Sequence, residues 1–216
     1  MKTSALNVAC ARVAAGVCVV VLAGCASTLS ESQCRAGDWQ TIGYRDGADG
    51  YASTRLLDHQ DACVKRGVTP DRALYMAGWR EGVVAYCTPG NGFSEGEHGS
   101  GYDRICPPEL EPGFLDAYKD GRSLYLAGAE VERLADLLDG KTAELTSVNE
   151  RLVTVVSQIA LDANATAQER VALVNESTTL AHARGRLEGE IESIGVELTV
   201  QRQRLAALEQ ELAYRY

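Results

Sequence analysis

The chain has 216 residues and a formal net charge of −9, with 24% of its residues charged and 6% aromatic. That length suits one domain, or one domain with an extension. The acidic balance argues against nucleic acid and against anionic lipid as electrostatic partners, and reads as a solvated surface.

The first 24 residues carry Lys2 and Arg12 and no acid, and the run from Val13 to Ala23 is apolar. A basic start, a short apolar stretch and small residues before a cut read as a secretory signal, too short to span a bilayer as a helix. Its end, Leu22-Ala23-Gly24-Cys25, resembles the lipobox of bacterial lipoproteins. The resemblance implies that residues 1–24 are removed and that Cys25 becomes the lipidated first residue, a membrane anchor. Several acyl chains on one residue give lasting attachment. Ala26 in place of Asp implies sorting to the outer membrane, facing the periplasm. Removal of the signal takes away two positive charges and moves the formal charge to −11. Residues 25–37 are expected to be a lipid-anchored linker.

Of the seven Cys, Cys10 and Cys18 leave with the signal and Cys25 carries lipid, so four remain: Cys34, Cys63, Cys87 and Cys106. Four in an oxidising compartment imply two disulfides, with three possible connectivities. Cys34–Cys63 and Cys87–Cys106 each close a local loop and are the favoured pairs. No C-x₂₋₄-C pair supports the zinc alternative, so no metal and no cofactor is expected.

The segment from 38 to 125 is organised by a repeat: small, aromatic, basic, acidic, Gly, with Tyr at the ninth position. Its copies are Gly43-Tyr44-Arg45-Asp46-Gly47 with Tyr51, Gly78-Trp79-Arg80-Glu81-Gly82 with Tyr86, and Ala117-Tyr118-Lys119-Asp120-Gly121 with Tyr125. A degenerate copy is Gly92-Phe93-Ser94-Glu95-Gly96, with Ser100 in the Tyr slot. On a helix the two small residues and the ninth position share one face, which lets another backbone approach closely. Gly inside a helix costs about 1 kcal/mol relative to Ala, so repeated pairs need a packing or binding reason. The copies start 35, 14 and 25 residues apart, which is irregular for a solenoid and points to helices of one small domain crossing at their glycine faces. Caps at Asp38 and Ser53 predict helices to about Gly50 and over 54–66, and Thr69-Pro70-Asp71 opens a third that runs to Tyr86. Thr88-Pro89-Gly90 reads as a stop, 91–102 as a short helix or loop, and a last element starts near Glu109.

The repeated acids and tyrosines are the candidate ligand-binding residues: Asp46, Glu81, Glu95, Asp120, Tyr51, Tyr86 and Tyr125. If the helices converge they line one polar cleft for a cell-wall glycan or peptide. The plainer alternative has the acids accepting from Tyr hydroxyls, pairing with Arg45, Arg80 and Lys119, or capping neighbouring helices. Glu97-His98 with Asp103 is a further acid/base or metal candidate in a polar loop. No nucleophile elbow, H-E-x-x-H, phosphate loop or dinucleotide fingerprint appears, so no catalytic residue is assigned and the chain is not expected to be an enzyme. A hydrolase using the repeated carboxylates is the weakest reading.

Cys34, Asp38-Trp39, Ile42-Gly43, Asp46-Gly47, Tyr75-Met76-Ala77-Gly78-Trp79, Gly82, Tyr86-Cys87-Thr88 and Asn91-Gly92 form a motif string. It continues through Gly96, Gly99, Tyr102, Cys106-Pro107, Phe114, Tyr118 and Gly121. This string resembles a bacterial envelope lipoprotein domain of unknown function over about residues 34–125. The resemblance implies an envelope lipoprotein and carries no activity onto any residue.

From Leu124 apolar positions recur every three or four residues to Ile159, with Lys141 the one polar member. A second seam runs from Leu173 to Leu212, with Arg184 among its polar members. Between them Asp162-Ala-Asn-Ala-Thr166 breaks the pattern, and Thr166 with Glu169 makes a capping-box pattern. Folding at the break pairs residues whose numbers sum to about 332, so that Leu145 meets Leu187 and Leu134 meets Leu198. Residues 126–216 are therefore expected to form an antiparallel hairpin whose arms reach roughly 60 Å. Two seams pairing between chains are the alternative, and the oligomeric state stays open. The expectation is an all-α fold: a small Gly- and Cys-rich helical head with two disulfides, then a long antiparallel coiled-coil hairpin. An interaction protein with a protein partner in the envelope follows from the reach of that arm.

Overall fold

The computed structural model describes residues 29–216, so the signal segment and Cys25 lie outside the described residues. Seven helices account for the regular structure among them: α1 (Glu31–Ala36), α2 (Trp39–Ala48), α3 (Arg55–Val64), α4 (Arg72–Tyr86), α5 (Pro89–Glu97), α6 (Glu111–Leu161) and α7 (Ala167–Leu212). The all-α architecture, both disulfides and the long C-terminal helices are as expected.

Local chemistry sets most boundaries. Asp38 accepts from Thr41 N to start α2, and Asp71 accepts from Ala73 N and Leu74 N to start α4. Such caps satisfy backbone donors that a helix start leaves unpaired. Three boundaries depart from the sequence expectation. The position before α3 is Thr54 rather than Ser53, and no side chain caps that helix. Part of the segment read as a linker is α1, begun by a capping box of Ser30 with Gln33 and closed by Gly37 at φ +66°. Thr88-Pro89 opens a helix rather than ending one: Thr88 accepts from Asn91 N, and Pro89 sits in the first turn, where its missing N–H costs nothing. Asn91 then ties the new helix back to α4, its side-chain amide donating to Tyr86 O.

The glycine faces make two intimate crossings. In α2 against α4, a Cβ on Gly43 would fall 2.0 Å from Tyr75 O and one on Gly47 2.3 Å from Trp79 O. Reciprocally, Gly78 would meet Gln40 O at 1.9 Å and Gly82 would meet Tyr44 O at 2.1 Å. In α5 against α6 the same pattern recurs: Gly92 on Phe114 O at 2.4 Å, Gly96 on Tyr118 O at 2.2 Å, Gly121 on Phe93 O at 2.1 Å. Ala117 takes the place of Gly78 and is buried. The first and second copies of the repeat therefore pair with each other, and the fourth pairs with the third. The ninth-position Tyr of the later helix closes each crossing: Tyr86 lies over Gly50 and Tyr125 over Gly99, both glycines in the left-handed region at φ +81° and +71°.

The likeness of the two pairs extends to hydrogen bonds and disulfides. Tyr51 N donates to Asp46 O and Ser100 N to Glu95 O, at 2.9 and 3.0 Å. Trp79 Nε1 donates to Tyr51 O, and Tyr118 Oη, at the same repeat position, donates to Ser100 O. Each disulfide joins a cysteine before the first helix of a pair to one in the segment between its two helices, Cys34–Cys63 and Cys87–Cys106. The head is thus a duplicated helix pair. Its two half-cores meet along α4, which gives Tyr75 to one and Val83 and Tyr86 to the other.

Helix α6 starts in the second half-core, with Phe114 fully buried, and continues without a break across residue 126 to Leu161. Thr166 and Glu169 form the reciprocal capping box that starts α7. Arg151 pairs with Glu176, Lys141 with Glu190 and Asp120 with Arg215, so numbers fall along one helix as they rise along the other. The two helices are antiparallel. Along both predicted seams every residue is buried or half-buried except Arg184.

Candidate functional site

In the first half of the head, three polar side chains from three helices meet in the interior. Asp46 is on the α2 face beside the glycine crossing, Tyr75 is on α4, and His59 is on α3, which the Cys34–Cys63 bond ties to α1. Asp46 and His59 are 7% and 2% exposed, and Tyr75 is fully buried. Asp46 Oδ2 accepts from Tyr75 Oη at 2.7 Å and lies 2.7 Å from His59 Nε2. Its other oxygen faces Arg55 Nε at 3.5 Å. A buried carboxylate needs such partners, because desolvation otherwise disfavours its charge. Oδ2 thus has the Tyr75 hydroxyl and the His59 ring nitrogen within hydrogen-bond distance, and Oδ1 has a guanidinium beside it.

Two buried atoms of the cluster make no hydrogen bond among the described residues, His59 Nδ1 and Arg55 Nε, the latter having only its 3.5 Å ion-pair contact with Asp46 Oδ1. Arg55 is held from its other side, its Cζ 3.9 Å from the centre of the Tyr51 ring. A cation over an aromatic face is attracted by the ring quadrupole. Beside the cluster is a cavity of about 230 Å³. Ile42, Asp46, Arg55 and His59 line it, and Arg45, Asp49 and Tyr51 stand at its more exposed side. Burial, with Asp46 as acceptor, pushes the Tyr75 hydroxyl well above the usual phenol range, so it keeps the proton that it donates to Asp46.

Of the seven residues expected to bind ligand, Asp46 and Tyr51 line this cavity. Glu81 is exposed on α4, Tyr125 is committed to Gly99, and Asp120 accepts from Arg215 and from Tyr216 Oη at the base of the arm. Tyr86 is buried in the second half-core, its hydroxyl raised above the ordinary range by burial and by nearby Glu95. The cations drawn to the acids are Arg55 and Arg215 rather than Arg45, Arg80 and Lys119. His98 is exposed and capped locally by Ser94 O at 2.7 Å. Among the described residues no group of three or more His, Cys, Asp or Glu is placed to hold a metal ion.

Sequence reasoning missed His59, Tyr75 and Arg55. Their separation from Asp46, by 13 residues for His59 and 29 for Tyr75, matches no short motif. One cue was available: three residues before the small residue that opens each copy, the second copy has Tyr75 where the third has Phe114.

Residues 38–123 match a family described as a protein of unknown function (DUF2799). The match spans α2 to α5 and the first turns of α6, so it contains the duplicated pair and the Asp46 cluster and stops before the hairpin. Searches of curated proteins and of solved structures each found no match to the chain.

Proposed function

We propose that the protein is a lipid-anchored lipoprotein of the outer membrane, facing the periplasm, and a structural or interaction protein rather than an enzyme. Its hairpin contacts another component of the envelope. The observation that carries this reading is the continuity of α6, which is rooted in the head core at Phe114 and ends only at Leu161. A helix of that length reaches about 75 Å and keeps its far end at a fixed distance from its root. Near that end Val153 and Val156 on α6 and Val171 and Val174 on α7 are exposed, which supports an apolar contact there. The Leu22-Ala-Gly-Cys25 sequence supports the anchor, and two disulfides suit an oxidising compartment. Among the described residues no helix is long and apolar enough to cross a membrane, so attachment is assigned to Cys25.

Two experiments test it. Cys25→Ser should leave the chain soluble or unprocessed; outer-membrane fractionation of that variant would overturn the anchor. A photo-crosslinker at Asn164 should capture one discrete envelope species, and Val153→Asp with Val171→Asp should abolish the capture. Capture that is equally strong from the middle of the arm, or insensitive to those changes, would sink the contact. A second reading, a binding module in the head, is favoured by one observation: the cavity beside Asp46.

A further inference from the structure

The duplicated head contains its own comparison. The second helix pair has the same glycine crossing, the same closing Tyr and a disulfide in the same place, yet its interior is aromatic. Phe114 stands where Tyr75 stands, and packs with Tyr86 at 5.1 Å and Tyr102 at 4.8 Å between ring centres. The framework is therefore built without a buried carboxylate and imidazole; the half-buried guanidinium of its second pair, Arg122, donates to Gly99 O beside the Tyr125 ring. A buried ionic cluster is at best a neutral contribution to stability relative to apolar packing. The first pair nevertheless has one, with a cavity against it; among the described residues His59 Nδ1, on the cavity lining, makes no hydrogen bond, and Arg55 Nε has only its 3.5 Å contact with Asp46. Scaffold needs do not account for these features; a polar ligand does.

The lining specifies its chemistry. Two cations, Arg45 and Arg55, and two carboxylates, Asp46 and Asp49, share the cavity. A simple anion would meet the carboxylates, and a simple cation the guanidinium groups. A ligand bearing both charges a few ångströms apart satisfies both. The volume of about 230 Å³ is below the usual span for drug-sized ligands and suits a small metabolite. Arg55, whose Cζ lies 3.9 Å from the centre of the Tyr51 ring, offers the kind of guanidinium fork that can receive a carboxylate through two parallel hydrogen bonds.

We propose that this cavity binds a free α-amino acid as its zwitterion, with the carboxylate on Arg55 and the ammonium between Asp46 Oδ1 and Asp49. The assignment is independent of what the arm contacts. It is tested by calorimetric titration of the full chain with glycine, alanine and serine, and with N-acetylalanine and alaninamide, which each retain one of the two charges. Alanine is expected to bind saturably and at least about tenfold more tightly than either derivative, the scale of one lost charge-assisted pair. Arg55→Gln should weaken alanine by a similar factor. Asp49→Asn lies at the exposed end of α2 and should weaken it severalfold with the helical signal unchanged, which keeps the test valid if Arg55→Gln disturbs α3. No saturable binding of any of the three amino acids would overturn the proposal. So would equal affinity for alanine and N-acetylalanine, or unchanged affinity in Asp49→Asn.

Discussion

At the scale of single residues, two kinds of glycine coexist in one chain. Gly78 has no room for a methyl group, since its Cβ would lie 1.9 Å from the Gln40 carbonyl oxygen. Gly140, in the middle of the arm, has nothing within 4 Å of that position. Gly78→Ala must separate α2 from α4 and is expected to cost about 3 kcal/mol or more, at the upper end of overpacking effects. Gly140→Ala should stabilise by about 0.5–1 kcal/mol through helix propensity alone. Chemical denaturation of both variants checks this, and a similar effect at the two sites would contradict the crossing. Tyr75 gives a pH prediction. Its folded pKa is raised, by burial first and then by Asp46, above the ordinary value of 10.0. The folded state therefore keeps a proton that the unfolded chain releases above about pH 10. The associated stability is fully present below that pH and is lost as pH rises beyond it. Tyr75→Phe should be less stable at neutral pH, by about 1 kcal/mol for the lost hydrogen bond, and should show a flatter alkaline limb in denaturation midpoints from pH 8 to 11. An unchanged slope would mean that other groups set the alkaline limb.

Among the elements, the hairpin seam contains two cations that behave differently. Lys141 is half-buried, and its ammonium reaches Glu190 across the pair at 2.7 Å; that bond raises its pKa. Arg184 is half exposed and pairs with Glu188 of its own helix. A long side chain can lay its stem along a seam and keep its charge in water, which limits the cost of both. Lys141→Leu is expected to stabilise the arm modestly, added apolar burial outweighing the loss of the exposed Glu190 pair. It should also raise self-association, because an unbroken apolar seam no longer penalises a slipped or intermolecular pairing. Arg184→Leu should add self-association with little stability. Thermal unfolding and sedimentation measure the two effects separately. The seams were legible in sequence because the three-and-four spacing leaves one apolar stripe, and Thr166-x-x-Glu169 marks where the second helix begins. Helix α1 carried a legible mark too, Ser30-x-x-Gln33 before Gly37, but its short length hid it beside the expected anchor. At Thr88-Pro89 the difficulty was that Pro serves a helix start as well as an end. The Asp46 cluster depends on which helices cross, and crossing partners are a property of tertiary packing that no local spacing contains.

For the whole molecule, both disulfides lie in the head and the arm has none, so the two parts respond differently to reduction. Each bond closes a loop of 19 or 29 residues, worth roughly 3 kcal/mol in the chain-entropy account. Dithiothreitol is expected to lower the midpoint of the head while the arm keeps most of its helical signal. Equal loss in both would show a single cooperative unit. Head and arm are nevertheless joined twice. One joint is α6 itself; at the other, Arg215 bonds Asp120 and Tyr216 stacks on Phe93 at 4.6 Å between ring centres. The chain thus returns to the crossing from which its arm departs. In mechanical terms the hairpin is a cantilever clamped at its base, and the glycine crossing of α5 on α6 is the clamp. Over the roughly 60 Å from that crossing to the tip, a tilt of about 1° sweeps the tip by about 1 Å. Backbones in direct contact leave no compressible side-chain layer to absorb such a tilt, so load applied at the tip is transmitted to α5 and, through Asn91, to α4.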